Sequence, residues 1–533
     1  MVIREADEAD ASHISAIFRA TYGEDYAYPE FYDEKLLKKM IFSDDTIVLV
    51  AERTDDGLIL GTASVVMDVG AFSDLLGEFG RLAVHPEARG QGVGNLLMEG
   101  RLDRIRDRLH IGITEARVVH PYSQKIAETY GFAAVGFLPM KVQIADRREH
   151  VALMYRHFGP AIALRRNNPH IVPEVYELAT MAMKHVGLTN DVIVDEATAP
   201  YPYGEGYEIV EMTAEGYSDL LRIERGRVRN REVFGPLQLH YGVFMLQAKH
   251  SNYLIARDKG RIVGAIGFTL DKFDRDIRVF ELITLDDHVV RFLFEELVRY
   301  GRDEHGIVVI EVDVAADATR MQRTLMELSF VPCAYVPAMA FQRSERRDVV
   351  KFVRLMEPLV LGEVALIETT QEIADAVLAA FSQRQVVPRI SEVVDRVALF
   401  DGLNDEQVQR VATIAGYRTY EAGDNILMES TRGEEMYLIL SGEVEIVMSG
   451  SNAPVGRVGP GECLGEVAML TRGGHMANGV ARTQVEAGVL TCEGIGKLVR
   501  LRPDIGVVLY RNVARGLGDK LRRADFEIIE EAK

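Results

Sequence analysis

The chain has 533 residues, 47% hydrophobic and 27% charged, a composition that fits three or four globular domains of about 150 residues each. Its 61 basic against 81 acidic residues leave a formal charge of −20, which repels phosphate backbones and anionic lipid and argues against a DNA-binding or membrane-surface role. Cys333, Cys463 and Cys492 are too scattered for a disulfide framework, the 13 histidines lack metal-ligand spacing, and no apolar leader or span of about 20 apolar residues occurs, so a cytoplasmic protein without metal is expected.

The first block, residues 1–158, opens with a strand at 2–4 and a helix that Asp10 or Ser12 can cap. Strand patterns follow at Thr46–Glu52 and 58–67 around the turn Asp55-Asp56-Gly57, then a short strand, a glycine-rich turn and a long helix over 92–108. A connector, 159–206, holds a helical stretch at 173–185 and a Pro/Gly/Tyr run ending at Gly206 that reads as a hinge.

The second block, 207–354, repeats the first: a strand at 207–211, a helix, then strands at 252–256 and 261–270 around Asp258-Lys259-Gly260. Gly131, Phe132, Phe137 and Pro139 correspond to Ser329, Phe330, Tyr335 and Pro337, and Arg147-Arg148 to Arg346-Arg347 after a one-residue shift. An internal duplication accounts for this. A mostly helical connector, 355–396, leads to the last block, 397–533, where short β-like runs alternate with glycines from Gly423 to Gly465 before a helix at 505–531. That rhythm predicts a small antiparallel barrel or jelly roll.

The chemistry is concentrated in the segment from Glu78 to Gly94. An apolar strand, Leu82-Ala83-Val84, ends at His85-Pro86, and Arg89-Gly90-Gln91-Gly92-Val93-Gly94 opens a helix. Glycines there let successive N–H groups point into one space, the helix N-terminus adds donors and partial positive charge, and Arg89 adds a charge-assisted contact. Three readings compete: a ligand-free turn, a dinucleotide loop, and an acyl-CoA loop. The dinucleotide fingerprint G-x-G-x-x-G is not met, whereas R-x-x-G-x-G after Leu-Ala-Val-x-Pro is met residue for residue.

That pattern resembles the acetyl-CoA loop of the GNAT superfamily of N-acetyltransferases, and the likeness covers the first block. It implies that amides of Gly90, Gln91, Gly92, Val93 and Gly94, with Arg89, hold the pyrophosphate, and that Leu82, Ala83 and Val84 run along the pantetheine arm where two parallel strands splay. It places Ser123 and His120 near the cofactor and Glu78 where many members carry a general base. Many members also carry a tyrosine four residues before the Gly131-Phe132 pair; here that position is Ala127, which leaves the acid to Tyr130 or Tyr122. In the second block the matching loop, Leu285-Asp286-Asp287-His288, lacks glycine and carries two aspartates, so the duplicate is expected to have lost CoA and to shape a substrate cleft or cover a face of the first.

The third block is similar to cyclic-nucleotide-binding domains, on Gly423-Asp424, Gly442 and Gly465-Glu466-Val467-Ala468. The resemblance assigns Glu466 to a ribose hydroxyl and Gly465, Val467 and Ala468 to the cyclic phosphate. The family's phosphate-binding arginine is replaced by His475, beside Met476, and Arg472 lies three residues earlier; a neutral imidazole supplies no fixed charge or paired donors. A cAMP or cGMP pocket and a ligand-free barrel for docking or dimerisation both stay open.

The expected architecture is α/β: two GNAT-like mixed α/β domains followed by a β jelly roll with flanking helices. The expected activity is acetyl-CoA-dependent acetylation of an amine, with protein lysine as first candidate, under a cyclic-nucleotide sensor. A small-amine or aminoglycoside-type transferase with an oligomerising barrel, and a non-enzymatic scaffold responding to acyl-CoA or nucleotide, are the alternatives, and a homodimer through the C-terminal domain is anticipated.

Overall fold

The computed structural model describes residues 1–24, 26, 28–67, 75–145, 147–212, 232–234, 251–342, 344–384, 397–448 and 454–531. The helix expected after 207–211 and the end of the second connector, 385–396, lie outside the described residues. The chain divides into two units, Met1–Val377 and Leu378–Lys533. Among the described residues no helix is long and apolar enough to cross a membrane.

The first unit begins with β1 (Val2–Glu5), α1 (Ala11–Tyr22), α2 (Glu34–Ile41), β2 (Thr46–Glu52), β3 (Ile59–Met67) and β4 (Leu76–Val84). It continues with α3 (Val93–Ile105), β5 (Ile111–Arg117), α4 (Tyr122–Thr129), β6 (Ala133–Ile144) and β7 (Arg147–His157). Both faces of this sheet are covered. Val48 and Val50 of β2 pack with Ile14 and Phe18 of α1, while Leu49 and Ala51 pack with Leu97 and Ile105 of α3, as strand alternation requires.

The connector contributes the short parallel pair β8 (His170–Ile171) and β9 (Ile193–Val194), with α5 (Tyr176–Val186) between them. The second lobe follows as β10 (Glu208–Glu211), β11 (Val233–Phe234), β12 (Ser251–Asp258), β13 (Arg261–Asp271), β14 (Asp276–Thr284) and α6 (Asp287–His305). It closes with β15 (Val309–Ala315), α7 (Thr319–Glu327), β16 (Val331–Gln342) and β17 (Glu345–Leu355), and the connector then forms α8 (Glu368–Arg384), whose start bonds back to Gln124 of α4.

The two lobes share one sheet, ordered β1-β2-β3-β4-β5-β7-β6-β16-β17-β15-β14-β13-β12-β10. The order reads as the same motif forwards and then backwards, so the lobes are related by a pseudo-twofold. They join where Gly136 of β6 pairs with Ala334 of β16, residues that correspond in the duplication. Glycine is required there: a Cβ on Gly136 would lie 2.2 Å from that of Ala334. The structure removes the one-residue shift: Arg148, not Arg147, is the counterpart of Arg346, standing opposite Gln143 as Arg346 stands opposite Phe341. Arg148 Nε donates to the Met140 carbonyl at 2.7 Å and Arg346 Nε to the Ala338 carbonyl at 2.6 Å.

The second unit contains α9 (Asp405–Ile414), β18 (Gly416–Tyr420), β19 (Asn425–Leu427), β20 (Glu435–Ser441), β21 (Val444–Val447), β22 (Pro454–Val458) and β23 (Cys463–Leu464). Then come α10 (Glu466–Thr471), β24 (Asn478–Ala481), β25 (Val485–Thr491), α11 (Cys492–Leu501) and α12 (Pro503–Glu531). Two four-stranded sheets, β18-β25-β20-β23 and β19-β24-β21-β22, enclose Ile439, Val444, Val485 and Ala487. This is the expected β sandwich with flanking helices, so the mixed α/β architecture stands.

Candidate active site and sensor pocket

The first lobe contains a fork in its sheet. β4 and β5 pair in parallel over three residues, Leu76 to Glu78 against Ile111 to Ile113. Beyond Glu78, β4 stays with β3, and β5 follows β7 as far as Arg117 opposite Val151. A bulge marks the divergence: Gly80 faces Ser64 and Ala83 faces Thr62, so Arg81 and Leu82 together oppose Ala63, with Arg81 at φ +56°. Bulges bend a strand and re-aim its backbone groups.

The chain then reverses into α3 through Gly90 (φ +77°) and Gly92 (φ +80°), conformations glycine adopts without Cβ strain. Gly92 is the N-cap of α3, and no side chain caps the helix. A Cβ at either glycine would meet nothing within 4 Å, so the space before the helix dipole is open to an anion. Gly94 serves packing instead, since a Cβ there would lie 2.8 Å from Ile126 Cδ1 of α4.

Fork and turn bound a cleft of about 1150 Å³. Leu82, Ala83, Val84, Arg89, Gly90, Gly92, Val93, Gly94 and Ser123 all line it. Gln91 does not; its side-chain amide donates to the Glu87 carbonyl at 2.9 Å. Thr21 and Tyr22 of α1 and Arg117, Ala145 and Arg147 also form its wall. No motif announces these, because they come from elements distant in sequence.

The lining calls for a polar ligand by a criterion independent of the motif. Thr21 Oγ1, His120 Nδ1 and Ser123 Oγ are buried without a hydrogen-bond partner in the protein, and all three residues line the cleft. Such atoms cost about 1–3 kcal/mol each unless something polar meets them. Burial, and then Arg117, push the His120 imidazole below its ordinary value, so it is neutral at pH 7.

The candidate base and acid sit elsewhere. Glu78 is the last residue of β4 paired with β5 and lines not the cleft but a small, partly open space of about 30 Å³ behind the fork, shared with the second lobe. Arg81 Nη1 lies 3.3 Å from Glu78 Oε1, and Tyr28, whose phenol burial and Glu78 both push upward, lies beneath the Arg81 guanidinium at 5.6 Å. Tyr130 does not line the cleft: it packs against the core cluster that includes Phe79 and Phe132, and its carbonyl accepts from Arg156. Tyr122 does line the cleft and is 69% exposed.

In the second lobe the corresponding place is covered. Asp286 caps α6, accepting from the His288 amide at 3.0 Å, so a carboxylate stands where the first lobe leaves its helix uncapped. The connector crosses above it: Tyr203 stacks on Arg291 at 3.7 Å, and a Cβ on Gly204 would lie 2.3 Å from the His288 carbonyl oxygen. Tyr201 donates its amide to Thr324 of α7 at 2.8 Å, and β11 pairs along the free edge of β15.

In the second unit a pocket of about 350 Å³ is lined by Gly465, Glu466, Val467, Ala468, His475 and Met476 together. Gly465 adopts φ +86° and its missing Cβ would lie 2.9 Å from the Glu435 carbonyl oxygen. Arg457 of β22 and Lys520 of α12 are the fixed cations of the lining, and Arg472 is exposed and outside it. Lys520 Nζ reaches Glu466 Oε1 at 2.6 Å and donates to the Cys463 carbonyl at 2.7 Å. Burial lowers the His475 pKa, so at neutral pH it adds no charge.

Family models place names on both sites. Residues 44–134 match the acetyltransferase (GNAT) domain and residues 417–500 the cyclic nucleotide-binding domain. The chain therefore carries an N-terminal GNAT acetyltransferase domain and a C-terminal cyclic nucleotide-binding domain. It is 32% identical over 142 residues to the cyclic AMP receptor protein of Thermus thermophilus, covering 25% of this chain and 64% of that one. It is 25% identical over 147 residues to a CRP-like cAMP-activated global transcriptional regulator of Mycobacterium tuberculosis, covering 26% and 62%. The chain thus spans less than two thirds of these relatives. A ribosomal-protein-alanine N-acetyltransferase from Brucella melitensis is a structural neighbour at 25% identity, matching 30% of this chain and all of that one with a TM-score of 0.26.

Proposed function

We propose that the chain is an acetyl-CoA-dependent N-acetyltransferase acting on a primary amine, with protein lysine as the favoured acceptor, under the control of a cyclic nucleotide. The observation that carries the transferase half is the cradle: two left-handed glycines with open Cβ positions before an uncapped helix, at the mouth of a cleft that follows the forked strands. Gly90, Gly92, Val93 and Gly94 would hold the pyrophosphate with Arg89, and Leu82 to Val84 the pantetheine arm. Acetyl-CoA supplies an activated acyl thioester. What the chain must add is removal of a proton from the amine, and we assign this to Glu78, which lies behind the cleft at the fork and would act through a water. The capped and covered helix of the second lobe supports a single cofactor site per chain.

The sensor half rests on the convergence of Gly465, Glu466, Val467, Ala468, His475 and Met476 on one pocket. Glu466 can accept from a ribose hydroxyl once it leaves Lys520, and Arg457 brings positive charge to the phosphate. A homodimer through α12 is supported by Val507, Tyr510 and Leu521, exposed at 70%, 44% and 65% on one helix at helical spacing.

The test is acetyl transfer to lysine-containing proteins and peptides beside a panel of small amines, each with and without cAMP and cGMP. Transfer to lysine that changes with nucleotide is expected. Transfer confined to small amines would replace the acceptor, and tight acetyl-CoA binding with no transfer would remove the enzymatic reading.

A further inference from the structure

The small space behind the fork is lined by both lobes. β4 and β14 are counterparts: Glu78 pairs with Ile113 on β5, and Arg278 pairs with Glu311 on β15. The duplication therefore carries a carboxylate in one copy and a guanidinium at the same register in the other. Both side chains line the same space of about 30 Å³, large enough for a water molecule or two.

Glu115 of β5 lines it as well. It lies two residues beyond Ile113, so it projects from the same face of the strand, diagonally across the fork from Glu78. Arg81 pairs with Glu78. The cations near Glu115 are Lys141 of β6 and Arg278 of the second lobe. Lys141 is already engaged by Glu311, and by Asp276 at 3.6 Å; Lys351 is engaged by Asp313 at 2.6 Å and Glu311 at 3.6 Å. Arg278 has Asp276 at 3.2 Å and lines the space together with Glu78 and Glu115 of the first lobe. Burial drives the Glu115 carboxyl toward its neutral form, and Lys141 and Arg278 oppose that.

We propose that the second lobe completes the transfer centre of the first: Glu115 joins Glu78 as a second carboxylate at the fork, and Arg278 is the positioning residue that fixes the charge of the pair. This rests on the transferase reading above. It gives the duplicate a task that needs no cofactor, and it explains why a lobe whose own cleft is covered stays joined to the first through one sheet.

The experiment uses the full chain. Acetyl transfer to the best amine of the panel is followed from pH 5.5 to 9 for wild type, Arg278→Leu, Arg278→Lys and Glu115→Gln, with acetyl-CoA affinity measured by calorimetry. An opposite charge within about 4–6 Å moves a carboxyl by 1–3 pH units. Arg278→Leu should therefore keep its acetyl-CoA affinity within about twofold, show an acid limb shifted upward by about one unit, and lose up to about tenfold in kcat on that limb. Arg278→Lys should restore the limb, and Glu115→Gln should alter its shape. An unmoved limb and unchanged kcat in an active enzyme overturn the proposal and leave the transferase reading intact; acetyl-CoA binding lost in step with kcat overturns it in favour of a structural role. If Arg278→Leu melts below assay temperature, the lysine and glutamine variants decide, and a wild-type profile in both overturns it. Wild type that binds acetyl-CoA but acetylates no amine overturns the transferase reading and the proposal together.

Discussion

Replacing Gly92 by leucine separates the folding role of the cradle from its binding role. Gly92 has φ +80°, and a Cβ there meets nothing within 4 Å, so the new side chain strains the backbone without a clash. The left-handed conformation costs a non-glycine residue about 1–2 kcal/mol, and the unfolding free energy should fall by that amount. Binding should suffer more, because the side chain enters the space before α3. Loss of two hydrogen bonds to a charged group, at about 1.5–3 kcal/mol each, weakens CoA by at least ~3 kcal/mol, more than 100-fold in Kd. Calorimetry with CoA and a urea melt read the two quantities separately. Gly57→Leu is the control: it sits at φ +73° in the β2–β3 turn, outside the cleft, and should show a similar stability loss with unchanged affinity. A folded Gly92→Leu variant that binds CoA within threefold of wild type would refute the cradle.

Further expectations concern the sensor pocket and the lobe junction. Burial lowers the His475 pKa from 6.5, and a bound anion favours the protonated ring, so cAMP affinity should rise as pH falls from 7.5 to 5.5, and His475→Arg should tighten binding about tenfold at pH 7.5; a flat pH dependence would place the phosphate elsewhere. Lys520→Met frees Glu466, and because the Lys520 side chain is 35% exposed the pair is worth about 1 kcal/mol at most. Nucleotide should then bind roughly fivefold tighter, whereas weaker binding would make Lys520 a direct contact. Burial pushes the Asp274 carboxyl from 3.8 up to about 6, so its contribution to stability is intact below pH 3.8 and is lost as pH rises through 6. Asp274→Asn can still accept from the Gln143 amide, a 2.9 Å contact in the wild type, and should stabilise the protein by ~1–3 kcal/mol at pH 7.5 and by nothing near pH 4; equal thermal shifts at both pH values would contradict the assignment.

What could be read from the sequence was what is local. The turn from Arg89 to Gly94 carries its own geometry, since φ at Gly90 and Gly92 and the start of α3 depend on neighbouring residues. The duplication was legible for the same reason: a lobe repeated along the chain keeps its strand lengths and turns, so Gly136 and Ala334 could be aligned before they were seen to touch. The sandwich followed from the spacing of its glycines, and Gly465 to Ala468 with His475 and Met476 converge on one pocket because short turns leave little freedom between them.

The tertiary structure decided everything that depends on elements meeting from afar. Tyr130 is close in sequence to Gly131-Phe132, yet it packs with the core, because helix phase and not proximity sets which way a residue at the end of α4 faces. Lys520 lies 54 residues beyond Glu466 and reaches it only because α12 packs back along the barrel. The covering of the second cleft needs a connector segment that precedes its lobe. Arg278 comes to share a space with Glu78 only because one β6–β16 pairing sets two lobes about a pseudo-twofold. Spacing along a chain records what neighbours can do together; which distant charges a low-dielectric interior brings face to face is set by the packing of whole lobes.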